Sequence, residues 1–507
     1  MPAAGSESSL GPSQAFLHVR VVDGRPVVEG TAEWAGGTPV WCGDGPPDGV
    51  YSRWSWDGER VTVCTDRTGF FPLYYFADDH QFCISASLTT LLRRGAPRDL
   101  DVDALGVFLR LGYFLDDDTA FTSIRAVPAV RSLTWTAGVL RVDRFLWQPE
   151  PVSVSYDDAV DGFIERMRAA VGRRLTADDE QFVMPLSGGA DSRHILLELA
   201  YQGRVPKRVV TAVQNPAFAD VAVAKELSAR LRIEHSVVDG VVDSGWDAEA
   251  RKNWITNFCS DEHVWYLPVA EDLVRATSTT YDGIGGDLLS APLSLEEPVM
   301  RDIVAGRIGR LLDDTFYSHR EPVLRAALRP EFYARVPMSR VRERIAADLR
   351  PRIDWPNPWS AFYWSHIERR ELTLTPHATL SSLTVHTPFL DRDVVDFMMG
   401  LPIEMVFGGR LHADAMRRAY PRHADVPFAR DVAHSRRRAL GHRLARLPRR
   451  AAIHARAHMV GSRSEFLRRV PSIVRRPGPG SLGGFNRRAI WLRQVELLAR
   501  DQLPSPG

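Results

Sequence analysis

With 507 residues the chain exceeds one ordinary domain, and a hydrophobic share of 44% beside 25% charged residues is that of a globular protein with ample material for a core. A formal net charge of +1 excludes a wholesale binder of nucleic acid or of a membrane surface, so any polyanion site must be local. No apolar run reaches the length that spans a bilayer, and the start, MPAAGSESSLGPSQAF, lacks a basic stretch followed by an apolar one; the expected location is cytoplasmic.

From about Ala15 to Leu146, short alternating runs (AFLHVRVV, VTVCTD, PLYYFADDHQFCISAS, SLTWTAG, LRVDRFLW) are separated by Gly, Pro and Asp. Such alternation predicts strands and hairpins. One helical pattern, DVDALGVFLRLGYF, interrupts them, with Asp101 or Asp103 placed to cap it. The polar, proline-bearing WQPEPVSVSYDD puts a boundary near residue 150, giving a first domain over 1–150. Cys42, Cys64, Cys83 and Cys259 show no CxxC spacing, so they read as small buried thiols rather than zinc ligands or disulfides.

A second domain, 151–476, opens on the amphipathic pattern YDDAVDGFIERMRAAVGRRL. An apolar strand from Phe182, the helix SRHILLELAYQG ended by Gly203, the strand KRVVTAVQN and the pair DVAVAKELSARLRIEHSVVD follow. This strand–helix–strand alternation implies a parallel sheet with crossover helices. Helical patterns dominate from about Arg301 to Met399, and 430–476 is strongly basic. The loop RRPGPGSLGGF leads into a last unit, 477–507, of loop and helix.

Chemistry concentrates where the strand from Phe182 breaks into Ser187-Gly188-Gly189-Ala190-Asp191-Ser192. At the carboxyl end of a parallel strand, Gly188 and Gly189 let backbone approach a ligand, Ser187 and Ser192 add hydroxyls, and the next helix offers its positive end. The turn suits phosphate, yet it ends in neither the Lys-Ser/Thr of a Walker loop nor the dinucleotide fingerprint. Asp191 inside it would repel phosphate unless a divalent cation lay between, so Mg2+ is expected. A second such turn, TTYDGIGGDLLS, brings Gly283, Gly285, Gly286 and Asp287 after a β-prone run, and Asp191 with Asp287 could hold the metal against a triphosphate.

These residues resemble the asparagine synthetase family, whose synthetase domain is a PP-loop ATP pyrophosphatase. Ser187 to Ser192 match its SGGxDS loop, Gly283 to Asp287 its Gly-x-Gly-x-Asp turn, HTPFLDRDVVDFMMGLP its PFLD stretch, and CTDRTGFFPLYYF its glutaminase-domain RDxxGxxPLYY. The resemblance covers about residues 15–435. It implies an N-terminal degenerate Ntn-hydrolase-like αββα sandwich plus a C-terminal doubly wound parallel sheet of PP-loop type, an α/β protein with helical additions. It also implies ATP cleaved between its α and β phosphates, an acyl-adenylate, and an amide formed by an amine. Ser187, Gly188, Gly189, Asp191, Ser192, Gly285 and Gly286 would cradle the nucleotide, with backbone around Ala212 and Val213 taking the adenine.

Three departures shape the expectation. Glutaminase members start, after Met removal, with a catalytic Cys, whereas the mature start here would be Pro2 or Ala3, so the amine would come free or within the substrate. The variable position of the second turn, Glu in asparagine synthetases and Tyr in β-lactam synthetases, is Ile284, which cannot take a proton. Glu368 or Glu371 in HIERRELTLTPHATL lie near where β-lactam synthetases carry a dyad glutamate. The family's R-x-K element reads Arg430 then Val432, the lysines being only Lys207, Lys225 and Lys252, so His434 or Arg436 would have to supply the cation. The missing Cys is shared by β-lactam synthetases and lasso peptide cyclases, and Ile284 favours a natural-product or peptide macrolactam synthetase over β-lactam closure.

The expected reaction is therefore ATP- and Mg2+-dependent adenylation of a small-molecule or peptide carboxylate and its joining to an amine, with Glu371, Glu368 and Arg430 as catalytic candidates. A leader peptide or biosynthetic partner protein is a candidate partner; nucleic acid and membrane are not. The alternatives are an asparagine synthase using free ammonia, a non-catalytic scaffold, and a tRNA-modifying PP-loop enzyme. The basic stretch, with Leu440, Leu444 and Leu447 at helical spacing, reads as a solvated helix face or an anion-attracting one, and His454 and His458 as surface histidines.

Overall fold

The structure, a computed structural model, describes residues 10–41, 45–145, 147–175, 177, 180–213, 219–240, 245–292, 295–307, 309, 321, 324–325, 328–432 and 481–505. The basic stretch beyond 432, with His434, Arg436, His454 and His458, and Cys42 lie outside the described residues.

Ten strands build the N-terminal unit: β1 Phe16–Val22, β2 Arg25–Gly30, β3 Glu33–Val40, β4 Asp48–Trp56, β5 Val61–Thr65, β6 Tyr74–Ala77, β7 Gln81–Ser85, β8 Arg125–Ala126, β9 Val130–Thr136 and β10 Val139–Arg144. They form two sheets, ordered β2-β1-β7-β6-β8 and β10-β9-β5-β4-β3. The alternation decides the packing: Leu17, Val19, Phe82 and Ile84 of one sheet meet Val50, Trp54, Val61, Val63, Leu133 and Trp135 of the other in a shared core. On its other face the first sheet buries Tyr74, Phe76 and Cys83 under the helices Leu88–Arg93 and Val102–Leu111. Asp101, not Asp103, caps the second helix, accepting the Ala104 N–H at 2.9 Å.

The expected αββα sandwich is thereby corrected to three layers. Among the described residues no helix covers the outer face of β10-β9-β5-β4-β3. The links between β2, β3, β4 and β5 are too short to carry one.

The second unit holds a parallel sheet. β11 Val183–Pro185, β12 Arg208–Ala212 and β13 Glu234–Val238 pair in parallel in that order, and β14 Thr279–Tyr281 pairs in parallel with β15 Thr384–His386. Phe182 and Tyr281, with ring centroids 5.1 Å apart, bring β14 beside β11. Both faces are apolar: Met184 and Val209 enter the main core, while Val183 and Val210 pack with Val269, Ala270 and Leu273 of the helix Leu267–Ala276. β15 lies inside the stretch expected to be helical, because three residues of strand carry too little periodicity to show in sequence.

Past Pro358–Tyr363 the chain winds as a π-helix over Trp364–Leu372 and again over Thr375–Thr379, a wider turn common at functional positions. Ser481 to Phe485, expected in a loop, instead open the helix Ser481–Ala499, whose Trp491 stacks on Phe108 at 3.8 Å. Charged pairs tie the units together: Arg67 grips Asp396 with both Nη atoms, and Arg174 bridges Asp391 and Asp48 at 2.5 and 2.9 Å.

A candidate active site at the carboxyl ends of β11 and β14

The turn after β11 is held by its own hydroxyls. Ser192 Oγ accepts the Ser187 N–H at 3.0 Å and lies 3.2 Å from Ser187 Oγ, which accepts the Gly189 N–H. The Gly188 N–H donates to Asp220 Oδ1 at 2.9 Å, and the Gly188 carbonyl accepts from Ala429. Gly188 must be glycine, since a Cβ there would lie 2.6 Å from that of Ala429. No side chain caps the helix Asp191–Tyr201, which leaves its positive end facing the turn.

The turn after β14 closes on the same place. A Cβ on Gly286 would stand 2.5 Å from Asp191 Oδ1, and one on Gly283 would stand 3.0 Å from the Ser192 nitrogen. Gly285 takes a left-handed conformation at φ +86, where a Cβ would run into Leu390 Cδ2 at 2.6 Å and stand 3.6 Å from Glu368 Oε1. Glycine thus brings Asp191, Gly285, Gly286 and Glu368 into contact distance.

Electrostatics mark the cluster. Burial, then the negative charge of Asp287, pushes Asp191 well above the ordinary carboxylate range against the pull of Arg430. Burial raises Asp287 and lifts Asp282 to about 6, although the Ile284 N–H and the Tyr266 hydroxyl stabilise the Asp282 carboxylate. Glu368 is fully buried, neither of its oxygens has a partner among the described residues, and burial followed by Asp287, Asp282 and Asp191 drives it well upward. Among the described residues, Arg430 acting on Asp191 is the one positive charge in the electrostatics of these four carboxyl groups. A divalent cation fits that donor set, with Asp191 and Asp287 as its natural holders.

The other expected residues separate. Glu371, three positions from Glu368, turns away, accepting Ser260 Oγ at 3.1 Å; burial and then Asp261 and Glu262 push it upward. The Val213 N–H already donates to the Val238 carbonyl at 2.9 Å, so that donor is not available to a base. Arg430 approaches Gly409, whose missing Cβ would be 3.3 Å from its Nη1. Ile284 packs on the main core, and Lys252 is buried between Glu249 and the Ser260 carbonyl.

Sequence reasoning passed over three residues here. Asp282 stood next to the second glycine turn and was legible as one more acid. Asp220, which braces Gly188, and His412, 3.6 Å from Asp191, come from remote segments with no motif to flag them.

Residues 47–146 match the family model described as a glutamine amidotransferase domain, so the N-terminal unit is similar to such a domain over that stretch. No curated protein matches the chain. Among solved structures, the U34-tRNA thiolase NcsA from Methanococcus maripaludis, with its [4Fe-4S] cluster, is 11% identical over 57% of this chain and 83% of its own, at a TM-score of 0.21. The glutamine phosphoribosylpyrophosphate amidotransferase from B. subtilis, complexed with ADP and GMP, is 9% identical over 46% of this chain and 65% of its own, at a TM-score of 0.16. Likenesses this shallow bear on neither fold nor activity.

Proposed function

We propose that the chain is an ATP-dependent amide synthetase of asparagine synthetase type that adenylates a carboxylate and joins it to an amine carried by a small-molecule or peptide substrate. The observation carrying this reading is the convergence of the SGGADS turn, Asp191, Asp287 and the unpartnered Glu368 at the carboxyl ends of two neighbouring parallel strands. A substrate carboxylate oxygen would attack the α-phosphorus of ATP, breaking its bond to the bridging oxygen and releasing pyrophosphate. The amine nitrogen would then attack the acyl carbon, and AMP would leave with the acyl-bound oxygen.

Each residue has a part that its surroundings support. Backbone of the 187–192 turn and the open helix end would bind phosphate oxygens. Mg2+ held by Asp191 and Asp287 would neutralise charge on the phosphates and on departing pyrophosphate. Glu368, buried without a hydrogen-bond partner among the described residues, would take the proton the amine loses once a bound cation offsets the neighbouring carboxylates that drive it upward. Arg430, the cation acting on Asp191, would steady the developing negative charge. Ile284 offers no polar atom for a free ammonia molecule, which favours an amine positioned by the rest of its substrate.

The test is ATP–pyrophosphate exchange with Mg2+ against pooled amino acids, organic acids and peptides encoded beside this gene. Exchange dependent on one carboxylate, and abolished in Asp191→Asn, is the expected result. Silence from every pool, with ATP still bound, would overturn the catalytic reading and leave a scaffold.

A further inference from the structure

The uncovered outer face of β10-β9-β5-β4-β3 carries a groove of about 800 Å3. Register explains it. Ala35, Arg53 and Cys64 stand in one row across β3, β4 and β5, and Gly37 pairs with Tyr51 in the next. The small residues of β3 leave the floor low beneath Trp41, which is 71% exposed, and beside Pro46, Pro47 and Phe145. A volume in the range of small-molecule sites, about 300–1,000 Å3, thus lies between an apolar floor and aromatic edges.

Charge selects the ligand. Among the described residues that line the groove are four arginines, Arg53, Arg67, Arg131 and Arg392, and no acid. Arg67 is neutralised by Asp396. Arg53, Arg131 and Arg392 have no carboxylate partner among the described residues, and Arg392 reaches only the Pro46 carbonyl, through Nη2 at 3.4 Å. Arg131 extends over the Phe145 ring at 5.5 Å, which holds a cation beside the apolar wall. The first strand sheet offers no equivalent, because helices cover its outer face.

We propose that this groove is a binding site for an organic anion with an apolar body, a phosphate, sulfonate or carboxylate joined to a ring- or acyl-sized hydrocarbon. The anion pairs with Arg53, Arg131 and Arg392, and the hydrocarbon lies on Ala35 and Gly37 against Trp41 and Phe145. The site is separate from the Asp191 cluster, and the inference stands whether or not the chain forms amides.

Cys64, half-buried on the groove floor, reports occupancy, whereas Cys83 and Cys259 are fully buried. In the full chain, a pulse of iodoacetamide followed by mass spectrometry of the Cys64 peptide measures its alkylation with and without 1-naphthyl phosphate; equilibrium dialysis of the same probe measures binding directly. Expected is saturable binding that slows Cys64 alkylation by about tenfold or more, with inorganic phosphate and neutral 1-naphthalenemethanol each binding at least about tenfold more weakly. R53E/R131E, changing two exposed side chains, should abolish binding and protection with the melting temperature unchanged, while Asp191→Asn should retain both. Equal binding of the neutral compound, binding undiminished in R53E/R131E, or no saturable binding by dialysis would each overturn the proposal.

Discussion

His412 Nδ1 lies 3.6 Å from Asp191 Oδ1 and 2.7 Å from Ser290 Oγ, so one buried ring edge faces both groups. Ser290 gives its proton to the Gly286 carbonyl at 2.6 Å and must accept from His412, which fixes the hydrogen on Nδ1. His412 Nε2 is then the acceptor for His194 Nδ1 at 2.9 Å. Burial holds both rings neutral, His194 at about 3 and His412 well below its ordinary value. With its one N–H given to Ser290, the neutral ring braces the Gly286 turn and packs beside Asp191 without competing for the charge of that carboxylate. His412→Ala should therefore raise the Mg2+ concentration for half-maximal pyrophosphate exchange by roughly 10- to 100-fold, the usual cost of losing such a support, with His412→Asn recovering part of it. An unchanged Mg2+ titration would mean that the ring only fills space.

The two glutamates of HIERREL should separate kinetically. Glu368→Gln keeps shape and removes the proton acceptor, so exchange should persist while amide formation falls by about 10^2- to 10^4-fold. Glu371→Gln, bonded to Ser260 away from the cluster, should leave both steps intact. Single-turnover assays of exchange and product formation make the comparison, and equal losses for the two variants would contradict the assignment.

That pair also shows where the sequence stops being informative. SGGADS and the Gly-x-Gly-x-Asp turn were legible because glycine, hydroxyl and carboxylate have to be local to make an anion-binding turn. Glu368 and Glu371 were not separable, since the direction each faces depends on a π-helix that spacing does not reveal. His412 and Asp220 join the site only through tertiary packing. The missing helical layer of the sandwich was concealed by a resemblance to four-layer relatives, although the short links between β2 and β5 already left no room for it.

Gly188 couples the 187–192 turn to Arg430. A Cβ there would be 2.6 Å from Ala429 Cβ and 2.9 Å from Asp220 Cα, and the backbone atom cannot swing aside. Gly188→Ala should displace the turn Ala429–Asp431 and, with it, Arg430. Exchange should fall as far as in Arg430→Ala, and the double variant should fall no further, since both changes remove one interaction. Additive losses would show that Gly188 and Arg430 act independently.

Acid should loosen the π-helix that carries Glu368. Asp348, on the helix Met338–Leu349, bonds His366 Nε2 at 2.5 Å and Arg352 at 2.6 Å. Burial alone would raise Asp348, but His366 and Arg352 outweigh it and hold the group at about 2, below its ordinary 3.8. A carboxyl depressed by folding binds its proton more readily in the unfolded chain, so its contribution is complete above the ordinary value and declines as pH falls from 3.8 toward 2. The depression corresponds to on the order of 2 kcal/mol. Urea unfolding at pH 6, 4 and 3 should find wild type more stable than Asp348→Asn at pH 6, with the gap narrowing at pH 3. A gap independent of pH would show that the ionised Asp348 does not stabilise the fold.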